Sequence, residues 1–281
     1  TRVTECAATA RPGYASTRSH EYLDDADTLR AKVRQVVVLL KRSQNPLLYT
    51  GAGISTASGV ADYASEAAGS KSVVNGMRRR KMSPWEAQPS LAHRVLAKVH
   101  AHAVAGSATA DAAGEMRPFV WVQQNHDGLP QKAGFPQEWL NEIHGAWYDP
   151  SNPVVPMTGA LRSDLFSWLE WLESVSDFAL VLGTSLSGMN ADRLVTTVGE
   201  KSLQAEPEAL GAVIVSLQRT SLDHLSAVRI YATIDDFATI LCEELELSVP
   251  TEQVPVVYQI RSRAKQHGSA AEMAAAVAAA A

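Results

Sequence analysis

The chain has 281 residues, 46% of them hydrophobic and 20% charged, a balance that fits a large globular domain able to bury roughly 75% of its unfolded surface. Its formal net charge of −5 gives no general electrostatic basis for contact with nucleic acid, although Arg78-Arg79-Arg80-Lys81 forms a local basic run. Two cysteines, Cys6 and Cys242, exclude a disulfide framework and a four-thiolate metal site, and no apolar run reaches the roughly 18 residues needed to cross a bilayer.

Residues 1–27 are polar, hold Pro12 and Gly13 and carry no apolar period, so an N-terminal extension is expected there. Arg2, Arg11 and Arg18 with few acids give its first part a faint transit-peptide character. From Thr28, the residues Leu29, Val33, Val36, Val37 and Leu40 recur at helical spacing and predict an amphipathic helix over 28–43. Asn45-Pro46 ends it, because a residue before proline is pushed out of the helical region. Leu47–Thr50 then reads as a strand running into Gly51-Ala52-Gly53, with Ser55 to Ser58 opening the next helix. The segment 63–118 is rich in Ala, Ser, Lys and Arg; it is expected to form a helical insertion with a cofactor loop over the sheet's carboxyl edge. Its helical stretch Leu91–His102 shows no strand to pack on, and Ala108–Glu115 reads as a loop.

Phe119–Val122, Phe178–Leu182, Ala212–Ser216 and Val228–Tyr231 read as buried parallel strands. Helical stretches lie beside them at Asp164–Val175, Asn190–Glu200 and Asp235–Leu245. That alternation predicts an α/β fold, a Rossmann-like parallel sheet with helices on both faces, over residues 28–250. Residues 251–281 form an irregular, then alanine-rich, C-terminal tail.

Chemistry concentrates where strands end. Gly51-Ala52-Gly53-Ile54-Ser55 follows a strand, and glycine there permits close approach of a phosphate to backbone N–H groups; close packing alone would select the same residues. The full three-glycine dinucleotide fingerprint is absent, since the next glycine is Gly59. Gln124-Asn125-His126-Asp127-Gly128-Leu129 puts carboxamides and a carboxylate at another strand end, where open α/β sheets bind ligands; an Asx-rich turn would look similar. Glu142-Ile143-His144-Gly145, after a helix-like Pro136–Leu140, offers His144 as a general base or as an ordinary turn histidine. Gly183-Thr184-Ser185-Leu186 fits a phosphate or ribose edge.

Taken in order, these segments resemble the sirtuin family of Sir2-like NAD-dependent protein deacylases. Gly51 through Tyr63 is similar to the family's first NAD-binding motif, and Pro89-Ser90-Leu91-Ala92-His93 to its helical-module motif. The segments beginning at Gln124, Glu142 and Gly183 match the remaining core motifs. Ser216-Leu217-Gln218-Arg219-Thr220 resembles the later adenosine-side segment, with Ser216 where asparagine is usual. The likeness covers about Leu29 to Leu245.

The resemblance implies NAD as cofactor and an acyl-lysine protein or peptide as substrate, with nicotinamide and O-acyl-ADP-ribose as products. It assigns Gly51, Ala52, Gly53, Ser55 and Asp62 to the phosphates and the nicotinamide end. Gln124 and Asn125 fall to the nicotinamide ribose, and Asp127 to a place beside the carboxamide pocket. Gly183, Thr184, Ser185 and Ser216 fall to the adenosine half. His144 is the implied general base, with Asn125 beside it in the catalytic set.

The chain departs from the family's pattern in three places. Ala146 to Pro153 replaces the usual zinc module with eight residues and no cysteine, so neither a zinc ribbon nor a bound metal is expected. Trp147-Tyr148-Asp149-Pro150 is expected to fill that gap by aromatic packing. Ala64-Ser65 follows Asp62-Tyr63 where the family carries a phosphate-gripping arginine, a loss of roughly 1.5–3 kcal/mol in binding unless Lys71 or the Arg78–Lys81 run replaces it. Met157-Thr158-Gly159 stands where the peptide clamp has phenylalanine, glycine and glutamate, and Pro156 removes an N–H from that edge, although Val154 and Val155 keep an edge for peptide addition. These departures leave two alternatives to deacylation: a non-catalytic NAD or ADP-ribose binder serving as a structural subunit of a larger assembly with protein partners, and a mono-ADP-ribosyltransferase. No membrane contact, no direct nucleic-acid contact and a non-secreted location, in cytoplasm or an organelle interior, are the remaining expectations.

Overall fold

The computed structural model describes residues 1–6, 18–60, 86–107, 115–156 and 158–251. Two short strands, β1 (Arg2–Thr4) and β2 (Glu21–Tyr22), pair antiparallel. The segment after them is tied to the main body, since Tyr22 N–H donates to the Leu217 carbonyl at 2.8 Å and Asp24 N–H to that of Tyr231 at 2.8 Å. Helix α1 (Ala26–Arg42) begins where the Asp25 carboxylate accepts the Thr28 N–H at 2.9 Å, and it turns Leu29, Val33, Val36, Val37 and Leu40 inward as their spacing requires. Asp177 receives the chain that follows α1, accepting the Ser43 hydroxyl and the N–H groups of Gln44 at 2.8 Å and Asn45 at 3.2 Å.

Six strands form the main sheet: β3 (Pro46–Thr50), β4 (Val120–Gln123), β5 (Leu140–Glu142), β6 (Phe178–Leu182), β7 (Gly211–Val215) and β8 (Ser226–Ile230). All neighbours are parallel, in the order β5-β4-β3-β6-β7-β8. The chain starts in the middle at β3, steps outward through β4 and β5, returns beside β3 as β6, and steps out the other way. That reversal puts the sheet's switch point between β3 and β6, and the carboxyl ends of strands at such a point are where doubly wound sheets hold ligands.

Both faces of the sheet are covered, which is why its central strands β3, β6 and β7 are nearly continuous apolar runs without alternation. One face carries α1, α2 (Leu91–Ser107) and α6 (Ile234–Glu244) over Leu48, Trp121, Leu180 and Val213. The opposite face carries α4 (Ser163–Val175) and α5 (Arg193–Leu203) over Leu47, Tyr49, Val181 and Ile214. A single-turn helix, α3 (Leu129–Lys132), follows β4.

Three local readings change. Residues 52–58 form a 3-10 helix rather than the start of an α-helix. The helix-like Pro136–Leu140 is a 3-10 turn over Gln137–Trp139 that delivers the chain into β5. Helix α2 has a sheet beneath it after all: the His93 ring stacks on Trp121 at 5.9 Å between centroids, and the helix also packs along α6. Asp62, Tyr63, Lys71, the Arg78–Lys81 run, Met157, most of 108–115 and the tail from 252 lie outside the described residues.

Candidate ligand crevice at the sheet's carboxyl edge

One register row crosses the whole sheet. Glu142 pairs with Gln123, Gln123 with Thr50, Thr50 with Leu182, Leu182 with Val215, and Val215 with Ile230. Gln124, Gly51, Gly183 and Ser216 are each the first residue beyond that row. Asn125 and His144 are each the second, on the adjacent strands β4 and β5. Five segments found separately in the sequence therefore leave the sheet at the same height.

At the centre of the edge, the loops after β3 and β6 are wedged together. Gly53 N–H donates to the Gly183 carbonyl at 2.8 Å, and Gly51 N–H to that of Leu182 at 3.1 Å. A Cβ on Gly51 would meet the Thr184 Cβ at 2.7 Å, and one on Gly53 would meet the Gly183 Cα at 2.7 Å. Gly183 has φ +62°, and a Cβ there would meet the Ile54 nitrogen at 2.7 Å. The glycines thus serve close loop packing, and that packing holds the crevice floor. Ala52 is half-buried beside them; Thr184 is buried and accepts the Leu186 N–H at 3.3 Å, and Ser185 takes the Ser187 hydroxyl at 2.7 Å.

Beside the glycines lies a buried polar relay. Asn125 donates its two amide hydrogens to the Gly51 carbonyl at 3.1 Å and to Ser55 Oγ at 3.0 Å. Ser55 in turn donates to Asp127 Oδ2 at 2.6 Å, and Asp127 Oδ1 accepts the Leu129 N–H at 3.0 Å. Burial pushes the Asp127 carboxyl above the usual range, opposed by the Ser55 hydrogen bond. With both amide hydrogens spent, Asn125 presents its carbonyl oxygen, an acceptor that suits a sugar hydroxyl. The residues present fit a ribose-bearing ligand in that respect.

His144 is half-buried, and its carbonyl accepts the Val155 N–H at 3.0 Å. The following Gly145 has φ +88° and lies so close to Pro153 that a Cβ would meet its carbonyl oxygen at 2.3 Å. Residues 146–153 close on themselves through Ala146 N–H to the Asn152 carbonyl at 2.8 Å, while Asn152 Nδ2 holds the Glu142 carbonyl at 3.1 Å. Tyr148 is buried under this turn; Trp147 is 45% exposed beside the His126 ring, 5.9 Å between centroids. Among the described residues, no group of three or more His, Cys, Asp and Glu side chains is arranged to hold a metal ion.

At the far end, Ser216 is buried, and its Oγ accepts the Gln218 N–H at 3.3 Å. Arg229, missed in the sequence because it sits mid-strand, ties this loop down. Its guanidinium reaches Asp223 at 2.7 Å and the carbonyls of Ile214, Ser216 and Gln218, over the Tyr231 ring. Asp192 was hidden too, within a stretch read as plain helix; it meets Tyr49 and Gln124.

A parallel sheet in this strand order, with polar loops from adjacent strands meeting at its switch point, defines a doubly wound Rossmann-like fold. No protein-family model matches the chain. Among curated proteins it is similar to the NAD-dependent protein deacetylase sirtuin-7 of Rattus norvegicus, 26% identical over 83% of this chain and 64% of that protein. It is also similar to the NAD-dependent protein deacetylase SRT1 of Arabidopsis thaliana, 26% identical over 82% of this chain and 52% of that protein. The chain thus spans between half and two thirds of the length of these relatives. A solved Sir2 with p53 peptide and NAD+ superposes with a TM-score of 0.57 at 22% identity, over 77% of this chain and 99% of that one. Sir2Tm bound to a propionylated peptide gives 0.57 over 77% of this chain and 100% of that one. Most of the chain is therefore similar in sequence to these curated deacetylases, and its fold is that of the solved Sir2 structures.

Proposed function

We propose that this chain is an NAD-dependent protein-lysine deacylase that binds NAD+ along the carboxyl edge of its sheet and takes an acyl-lysine protein or peptide as substrate. The observation that carries the reading is the common register row, from which Gly51, Gln124, Gly183 and Ser216 emerge in step, with Asn125 and His144 one residue further on. Relatives named as NAD-dependent protein deacetylases, similar to most of this chain, support it. Bound NAD+ supplies an electrophilic ribose carbon with nicotinamide as its leaving group. Gly51, Ala52, Gly53 and Asp62 hold the phosphate and nicotinamide end, and Gly183, Thr184, Ser185 and Ser216 hold the adenosine end. Asn125, oriented by Gly51 and Ser55, accepts from a ribose hydroxyl. His144 takes a ribose hydroxyl proton at an imidazole nitrogen. Asp127, buried and held by Ser55, keeps the relay in register.

The test is nicotinamide release from NAD+ with and without an acyl-lysine peptide. Release that depends on the peptide and falls at least ~100-fold in His144→Ala is the expected result, in line with the usual weight of a general base. Deacylation that continues unchanged in that variant removes the histidine from its role.

Ala64-Ser65 in place of the family's arginine and Thr158-Gly159 in the peptide clamp favour a second reading, an NAD or ADP-ribose binder without turnover that serves as a structural subunit. Calorimetric NAD+ binding with no nicotinamide release selects it. Transfer of ADP-ribose label from NAD+ onto protein, without acyl-lysine present, selects mono-ADP-ribosylation.

A further inference from the structure

Tyr49 and Asp192 are absorbed neither by the resemblance nor by the relay around Asn125. Tyr49 is the fourth residue of β3 and fully buried, facing α5 rather than the crevice; Asp192 is 4% exposed, in the 3-10 turn before that helix. The Tyr49 hydroxyl donates to Asp192 Oδ1 at 2.8 Å. The other carboxylate oxygen accepts the backbone N–H groups of Gly188 at 2.9 Å and Met189 at 2.8 Å. Into the same pair reaches Gln124, whose Nε2 donates to the Tyr49 hydroxyl oxygen and to Asp192 Oδ1 at 3.2 Å. Among the described residues Asp192 thus takes hydrogen bonds from Tyr49, Gln124, Gly188 and Met189, and as a carboxylate it offers no proton in return.

That inventory settles which way the Gln124 amide points. A carboxylate only accepts, and the Tyr49 hydroxyl has already given its hydrogen to Asp192, so both groups present only acceptors to Gln124. The amide nitrogen is therefore the end of the side chain that faces the pair. The carbonyl oxygen of this half-buried side chain is then the atom left for a ligand, and flipping the amide would set oxygen against two acceptors. We propose that Tyr49 and Asp192 are positioning residues that lock the Gln124 amide with its carbonyl oxygen toward the crevice, so that the chain selects a ligand hydroxyl donor at that point. The proposal rests on the NAD+ reading for the identity of the ligand, and on hydrogen-bond geometry alone for the lock.

Binding of NAD+ and of an analogue lacking both hydroxyls of the nicotinamide ribose, measured by calorimetry on the full chain, tests it. Wild type is expected to prefer NAD+ by about tenfold, the weight of one well-made hydrogen bond. Tyr49→Phe removes one acceptor while leaving the Gly188 and Met189 contacts intact, and Asp192→Asn removes the acceptor-only partner. In both variants the preference is expected to shrink to about threefold or less, with affinity for the analogue held within about twofold. Equal weakening of both ligands shows that the pair only shapes the loop, and an unchanged preference, or none in wild type, also overturns the proposal. Should NAD+ itself fail to bind, the functional reading falls, and the side-chain amide protons of Gln124 in the ligand-free chain still decide the lock by NMR. Slow exchange that is lost in Tyr49→Phe upholds it; free exchange in wild type sinks it.

Discussion

A methyl group on residue 53 would sit 2.7 Å from the Gly183 Cα and 2.8 Å from its carbonyl oxygen, both backbone atoms that cannot swing aside. Gly53→Ala is therefore expected to cost about 1–3 kcal/mol in urea unfolding, and to weaken ligand binding because the crevice floor must part. Gly134 makes the contrast: its φ is +90° but nothing lies within 4 Å of an added methyl, so Gly134→Ala should cost about 1 kcal/mol through backbone strain and leave binding alone. Equal effects of the two substitutions on binding would show that the Gly53–Gly183 contact does not shape the crevice. The glycine motif was legible as a turn at a strand end, but its reason was not. A phosphate cradle and a packing contact call for the same residues, and the contact lies with a glycine far along the chain.

Helix α2 docks on the sheet through histidines where leucines would be ordinary. His93 is fully buried, its Nδ1 is hydrogen-bonded with the Ser90 hydroxyl at 2.8 Å, and its ring stacks on Trp121. His100, also buried, lies among Phe119, Phe135 and Trp139 with ring centroids 5.1, 4.6 and 5.1 Å away. Burial lowers His93 from 6.5 to about 3, helped by the nearby Arg94, and lowers His100 from 6.5 to about 4. Below pH 6.5 the unfolded chain takes up protons that these folded rings refuse, so stability present at neutral pH is lost as pH falls toward 4. Each ring contributes a slope of about 1 kcal/mol per pH unit in that window. Thermal or urea unfolding of His100→Leu at pH 7, 6 and 5 should show a shallower decline than wild type, and identical slopes would mean that His100 is not kept neutral by the fold. These same residues hid the helix's docking face, because polar His93 and His100 and several alanines break the apolar period a reader looks for. Strand β5 was missed for a different reason: three residues, Leu140–Glu142, are too few to show a period of two, and the 3-10 turn before them imitates a helix.

Across the whole molecule, the sheet divides one chain between two cores. Successive strand residues point to opposite faces, so Leu48, Leu180 and Val213 join the core under α1, α2 and α6, while Leu47, Tyr49, Val181 and Ile214 join the core under α4 and α5. The strand order was foreseeable in kind from alternating strands and helices, yet not the assignment of helices to faces, since the central strands β3, β6 and β7 are almost wholly apolar on both sides. A β-strand cannot keep one face formed while the other dissolves, because its backbone ladder is common to both. The two cores should therefore unfold together. Trp121 reports on one core and Trp168 on the other, and 5-fluorotryptophan labelling resolves them by 19F NMR. Phe237→Ala, a fully buried ring on α6, should cost about 3–5 kcal/mol, a large share of a typical domain's 5–15 kcal/mol, and shift both tryptophan transitions to the same lower urea concentration. Leu169→Ala on α4 should do the same from the opposite side, by about 2–5 kcal/mol. A Trp168 signal that stays native after Trp121 has unfolded would mean that the faces are separable, and the crevice they share at β3 and β6 would then lose its floor from one side at a time.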